Sequence, residues 1–231
     1  MNSVHILKSA QSAFIASVLV LALGMFAFFT FEPSVSRAIT DNFTVTQTIT
    51  DEISFLVLAD NVTMDGSIAG LTGGYATGTT MAVVRSNDAQ GYSMTLHFAT
   101  SSSGHSMQAS STAYINDYSP ASTGVPDFEW VTNSTGQAAE FGYTVRASTT
   151  GEVNASFRND SADCNTGSTE SDDRCWLNPT TSPKTIVGTT APVGASTTTI
   201  KLKVAVPNSP SPTLPTGTYT ATGILTATNN P

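Results

Sequence analysis

The chain has 231 residues, of which 11% are charged, and its formal net charge is −8. A nucleic-acid surface needs clustered Lys and Arg side chains, and the nine basic residues form no such cluster, which argues against a nucleic-acid partner. Thr-rich segments with few charges are typical of half-buried strands rather than helices. The composition therefore indicates an all-β domain.

An uncharged apolar run, residues 13–31, lies near the N-terminus. As a helix it would extend to nearly 30 Å, about the thickness of the hydrocarbon core of a bilayer. Lys8 precedes it, and by the positive-inside rule this keeps the N-terminus cytoplasmic. We therefore expect the rest of the chain outside the cytoplasm, secreted or at the cell surface.

Two interpretations of this segment stay open. Ser36 and Ala38 are small residues at the −3 and −1 positions of a signal-peptidase site, which predicts cleavage after Ala38. The apolar run is longer than most signal-peptide cores, which favours an uncleaved transmembrane helix that keeps the protein on the membrane. In both cases residues 1–38 are a targeting or anchoring segment and residues 39–231 are the folded domain.

Period-two alternation predicts the first strands. Residues 43–49 place Phe43, Val45 and Ile49 on one face and threonines on the other. Residues 53–58 are apolar on both faces and are expected to form a central strand. Residues 79–85 and 92–98, joined by a polar turn, are predicted to form a β-hairpin.

The second half of the chain is less regular. Residues 100–126 are small and polar and predict a long surface loop, followed by a short strand at 128–131 and a better one at 140–147. Residues 148–194 are expected to be mostly irregular. Two closing strands are predicted at 199–206, with Lys201 and Lys203 on the outer face, and at 217–228.

Seven or more strands with no amphipathic helix after residue 38 predict the fold class. It is an antiparallel β-sandwich, of Greek-key type and Ig-like or jelly-roll-like, preceded by one N-terminal hydrophobic helix. Cys164 and Cys175 flank a polar loop and are expected to form a disulfide outside the cytoplasm.

Two segments carry a family resemblance. The turn and Thr-rich strand at 215–228, and the segment from Ser86-Asn87 to Gly91-Tyr92-Ser93-Met94-Thr95-Leu96, resemble bacterial surface sandwiches of the WxL-like and spore-coat-U-like kind. The resemblance implies a cell-surface or cell-envelope protein that is attached to envelope polymers or assembled with other copies. Trp130 and Trp176 do not begin a Trp-x-Leu motif, so attachment to peptidoglycan through that motif is not implied.

No catalytic or cofactor site is predicted. His97 and His105 are the histidines after residue 38, and no Gly-x-Ser-x-Gly elbow accompanies them, so we do not expect an enzyme. Acidic residues crowd the cysteine loop, but without the spacing of an EF-hand, and a solvated acidic loop is the preferred interpretation over weak calcium binding. No metal or cofactor is assigned.

Two functions remain. The first is a structural surface protein that self-associates through sheet edges, because the predicted strand at 43–49 has no charge to protect its edge. The second is an adhesin or carbohydrate-binding module in contact with cell-wall polymers or glycans. Its candidate ligand loop contains Tyr114, Tyr118, Phe128 and Trp130.

Overall fold

A computed structural model describes residues 3–30, 40–130, 135–149 and 151–231. The chain divides into two compact units, residues 1–48 and residues 49–231. The first contains helix α1, Ser3–Thr30. The predicted cleavage site at Ala38 lies outside the described residues.

The apolar run is helical up to Thr30, as predicted. The transmembrane interpretation is not confirmed, because no helix in the described part of the chain combines the length and the hydropathy that crossing a membrane requires.

The described residues of the second unit form nine strands in two sheets, which confirms the prediction of a β-rich fold. The order is β1-β2-β8-β6-β5-β4 in the larger sheet and β7-β3-β9 in the smaller one. The strands are β1 Ile53–Val57, β2 Gly74–Ser86, β3 Tyr92–Phe98, β4 Met107–Ser110, β5 Ala113–Asp117, β6 Glu140–Ala147, β7 Lys184–Gly188, β8 Val193–Val206 and β9 Gly223–Asn229.

One apolar core is shared by the two sheets. Alternation along β3 buries Tyr92, Met94, Leu96 and Phe98, while the residues between them are only half-buried. Facing residues of β6 complete the contact: the rings of Phe98 and Phe141 meet edge to face, with centroids 5.6 Å apart. Burial of alternate residues in both sheets therefore holds the unit together.

The prediction of a first strand at residues 43–49 is wrong. These residues form no strand and their apolar side chains are exposed. Alternation records a preference for a pleated conformation, but a strand needs a partner for its backbone groups, and none of the described strands pairs with this segment.

The predicted hairpin is also wrong, although both of its strands exist. β2 pairs with β1 and β8, whereas β3 pairs with β7 and β9, so the turn at 87–91 carries the chain from one sheet to the other. β1 was expected in the centre of a sheet and instead lies at an edge of the larger one. Local turn chemistry permits a hairpin or a crossover, and packing of the two sheets decides between them.

Other segments depart from the predictions in smaller ways. β4 and β5 lie within the predicted loop 100–126, β7 lies within the segment predicted to be irregular, and no strand covers 128–130. β5 pairs with β6 in parallel, at Asn116–Glu140 and Asp117–Phe141, so the larger sheet is mixed and not purely antiparallel. The strand at 140–147 is confirmed residue for residue.

Candidate functional site

The segment at 40–50 presents an unusual apolar surface. Phe43, Val45 and Ile49, which stand at alternate positions of the sequence, are 87%, 81% and 83% exposed. No charged residue occurs between Asn42 and Thr50. An exposed segment of this kind can pair with a sheet edge of another chain. Charged side chains, which commonly hinder such pairing in proteins, are missing from it.

Asn87 bonds to the residues that directly follow this segment. The side chain of Asn87 donates to the carbonyl oxygen of Thr50 at 3.1 Å and accepts from the backbone N–H of Glu52 at 2.6 Å. These bonds tie the start of β1 to the end of β2. Side-chain hydrogen bonds therefore fix the backbone just after the apolar segment, where β1 begins.

The four residues of the predicted ligand loop do not form one exposed platform. Tyr118 is 2% exposed and Trp130 is 8% exposed, with ring centroids 4.2 Å apart. Tyr114 stacks instead on His105 at 4.2 Å, and Phe128 lies beneath the guanidinium of Arg174 at 5.1 Å. The structure thus brings Tyr118 and Trp130 together and leaves the other two in separate contacts.

Lys203, predicted on the outer face of its strand, is part of the aromatic cluster. Lys203 Nζ lies 5.0 Å from the Trp130 ring centroid, 5.3 Å from that of Trp176 and 5.6 Å from that of Tyr75. Burial lowers the pKa of Lys203, more than nearby Asp173 raises it. The strand alternation placed Lys203 outward correctly, but no local pattern indicates that two indoles cover that face.

The cysteine loop, residues 164–175, forms ion pairs with the outer face of the larger sheet. The predicted disulfide Cys164–Cys175 is confirmed, with a Cα–Cα distance of 5.6 Å. Asp172 pairs with Arg146 at 2.7 Å and Asp173 with Lys201 at 3.0 Å. Disulfides persist in oxidising compartments, which supports a site outside the cytoplasm.

The acidic residues in and just before this loop point to separate partners. Glu170 accepts from the backbone N–H groups of Ala147 and Gly151, and Asp160 accepts from those of Ala162 and Asp163. The hydrogen bond from Asp163, and after it the bond from Ala162, lower the pKa of Asp160 because they stabilise its charged form. Among the described residues no group of three or more His, Cys, Asp or Glu side chains could hold a metal ion.

The two histidines after residue 38 belong to different local structures. His97 is on β3, directly opposite Ile224 of β9, and His105 follows the end of that strand in a Ser-rich turn. Within the described residues neither imidazole has a hydrogen bond to a serine hydroxyl or a carboxylate of the kind that a catalytic triad uses.

A polar cavity of about 230 Å³ lies beside His105. Its lining includes Ser101, His105, Ser106, Asp117 and Thr180. One oxygen of Asp117 accepts from the backbone N–H of Ser106 at 3.0 Å. A carboxylate among hydroxyl groups can bind a small polyhydroxylated molecule.

No family model matches the chain, and no curated protein matches it.

Proposed function

We propose that this is a non-enzymatic structural protein of the cell surface or envelope, a Greek-key β-sandwich exported from the cytoplasm, which self-associates through sheet edges. The disulfide supports a place outside the cytoplasm. The observation that carries self-association is the exposed, uncharged segment in which Phe43, Val45 and Ile49 alternate with polar residues and would share one face of a strand.

Burial provides the reason for association. A fully exposed Val or Phe side chain gains about 1.5–3 kcal/mol when it is fully buried. Three such side chains, together with backbone hydrogen bonds along a seven-residue strand, are enough to offset part of the cost of ordering the segment and joining two molecules. Among the described residues, no strand of the same chain pairs with this segment. The burial must therefore come from a second molecule.

The test compares two charge substitutions on neighbouring residues. Val45→Asp places a carboxylate on the apolar face, and Thr46→Asp places the same charge on the threonine face. We expect the wild type and Thr46→Asp to form large species at high protein concentration in analytical ultracentrifugation, and Val45→Asp to remain monomeric. A wild-type protein that stays monomeric, or a Val45→Asp variant that assembles like it, would refute the proposal.

A second candidate function is carbohydrate binding at the cavity beside His105. The observation that favours it is the group of hydroxyls around Asp117. Binding to a glycan array that is lost in Asp117→Ala and retained in Trp130→Phe would support this function. No binding across a broad array would remove it.

A further inference from the structure

The outer edges of the two sheets differ in how well they are protected. β7 is flanked by the segment before the 3-10 turn Ala155–Phe157: the N–H of Asn154 donates to Ile186 and that of Gly188 to Glu152, each at 2.8 Å. β4 has four residues, and Gln108 exchanges both backbone hydrogen bonds with Thr220 at 3.0 Å. These two edges are therefore already occupied.

The remaining edges are those of β1 and β9. β1 has five residues, and its register with β2 is interrupted between Phe55 and Val57, which makes it a short and irregular template. β9 has seven residues in unbroken register with β3. No strand of the described chain pairs with the opposite edge of β9. β9 is thus the longest regular edge left open.

The direction of the free backbone groups follows from the hydrogen bonds at the two ends of β9. Ala99 donates to the carbonyl of Thr222 at 2.9 Å, and Asn230 donates to that of Gly91 at 3.0 Å. In an antiparallel pair, alternate residues face the partner strand. Residues 224, 226 and 228 therefore bond to β3, and Leu225 and Ala227 direct their N–H and C=O groups away from it.

The side chains at this edge leave part of the core uncovered. Leu225 and Ala227 point to the core and are only half-buried, in contrast to Met94 and Leu96 of the neighbouring β3. Ile53 and Phe55 of β1 pack against the same core and are also half-buried. β1 and β9 contact each other, and Ser86 Oγ donates to Asn229 Oδ1 at 2.9 Å. The half-buried residues thus lie on the same side of the unit.

We propose that residues 43–49 of a second copy of this chain bind along the outer edge of β9, with Phe43, Val45 and Ile49 covering the half-buried residues of β9 and β1. This inference rests on the proposed self-association and names its receiving surface. The lengths match, because the segment and β9 each have seven residues, or about 23 Å as strands. As a strand, the segment would supply one apolar face, and this face would cover the half-buried Leu225 and Ala227 of β9.

The geometry also determines the kind of assembly. The contributing segment and the receiving edge are different surfaces, so each molecule gives one strand and accepts one. Such a heterologous contact repeats in a head-to-tail manner and produces a ring or a filament, whereas a symmetric contact would stop at a dimer.

The test uses two variants that are defective at opposite ends of the contact. Val45→Asp damages the segment and keeps the edge. Ala227→Pro removes an outward N–H from the edge and keeps the segment, while the hydrogen bonds of Thr226 and Thr228 to β3 remain. We expect each variant alone to be monomeric in analytical ultracentrifugation and an equal mixture to form a one-to-one heterodimer.

The outcomes separate the two proposals. If the wild type stays monomeric, or if Val45→Asp alone assembles like the wild type, the proposed self-association through residues 43–49 fails. If Val45→Asp is monomeric but Ala227→Pro still forms large species, or if the mixture gives no heterodimer, the β9 edge is the wrong receiving surface. Ala227→Ser keeps the N–H group and serves as the matched control for folding, with thermal unfolding as its readout.

A thiol experiment keeps the inference testable if Ala227→Pro does not fold. No free cysteine is present, so Val45→Cys and Leu225→Cys in separate chains would provide the reactive pair. Under mild oxidation we expect a cross-linked dimer from the mixture, identified by peptide mass spectrometry. A mixture that cross-links no faster than Thr46→Cys with Leu225→Cys would overturn the assignment.

Discussion

Lys203 holds its ammonium group over the indole of Trp130, 5.0 Å from the ring centroid, on the outer face of β8. The electron-rich faces of aromatic rings attract a cation, while loss of water disfavours it. Loss of water is the largest influence on the Lys203 pKa and lowers it below the ordinary value of 10.5.

The lowered pKa predicts a pH dependence of folding stability. Between the folded pKa of Lys203 and 10.5, the unfolded chain binds more protons than the folded one, so the free energy of unfolding rises with pH in that window. Lys203→Met removes the titrating group and keeps the aliphatic stem. We expect the wild type to gain stability relative to Lys203→Met as pH rises to 10.5, as measured by urea unfolding. Parallel pH curves for the two proteins would contradict this.

Gly142 of β6 allows the aromatic cluster to lie close to the sheet. A Cβ atom at this position would lie 2.9 Å from both the Trp130 ring and the Tyr118 Cβ, and 3.0 Å from the Leu177 carbonyl oxygen. We expect Gly142→Ala to destabilise the fold by about 1–3 kcal/mol because a packed layer resists added volume. In Gly194→Ala the added methyl would meet nothing within 4 Å. Equal urea midpoints for the two variants would show that the layer is not tightly packed.

Gly91 lies where the chain passes from the larger sheet to the smaller one. Its φ is +77°, and an added Cβ would overlap the carbonyl group of Thr189. Thr189 in turn receives a hydrogen bond from Asn230 at 2.8 Å, so it cannot easily move. We expect Gly91→Ala to lower the free energy of unfolding by more than the ~1 kcal/mol that a positive φ alone costs.

Gly104→Ala separates the two causes. Gly104 has a φ of +80°, but a Cβ there would meet nothing within 4 Å. Chemical unfolding of both variants should therefore show the larger loss at residue 91. A loss at Gly104 as large as that at Gly91 would mean that backbone conformation, and not contact with Thr189, dominates.

The disulfide between Cys164 and Cys175 closes a short loop over the larger sheet. In the loop-closure model a bridge of this span is worth about 3 kcal/mol, through restriction of the unfolded chain. Replacement of both cysteines by serine should lower the thermal unfolding midpoint accordingly. Asp172→Asn breaks an exposed ion pair in the same loop and should cost less than ~1 kcal/mol. A double serine variant as stable as Asp172→Asn would contradict the model.

Local patterns in the sequence predicted much of the secondary structure. Alternation located β6 and β3 and predicted which residues of β9 face inward, because burial on one side of a pleated strand imposes a period of two. The cysteine spacing predicted the disulfide. These features were predictable because each depends on residues that lie close together in the sequence.

The candidate assembly surface was only half predictable. The alternating residues at 43–49 were recognisable, and their lack of charge indicated an unprotected strand. The receiving edge was not recognisable, because local alternation predicts the final strand at 217–228 but not the strands that pair with it. Whether an edge stays open depends on which strands pair with it, and that is a property of contacts between distant segments.

The sequence by itself determined the β-rich character, the disulfide and the faces of most strands, because each follows from residue type and local periodicity. Only the tertiary structure decided that β2 and β3 belong to different sheets, that Trp130 and Trp176 enclose Lys203, and that β9 ends the smaller sheet. The reason is physical: pairing and layer packing join residues far apart in the chain, where the same local pattern is compatible with several partners.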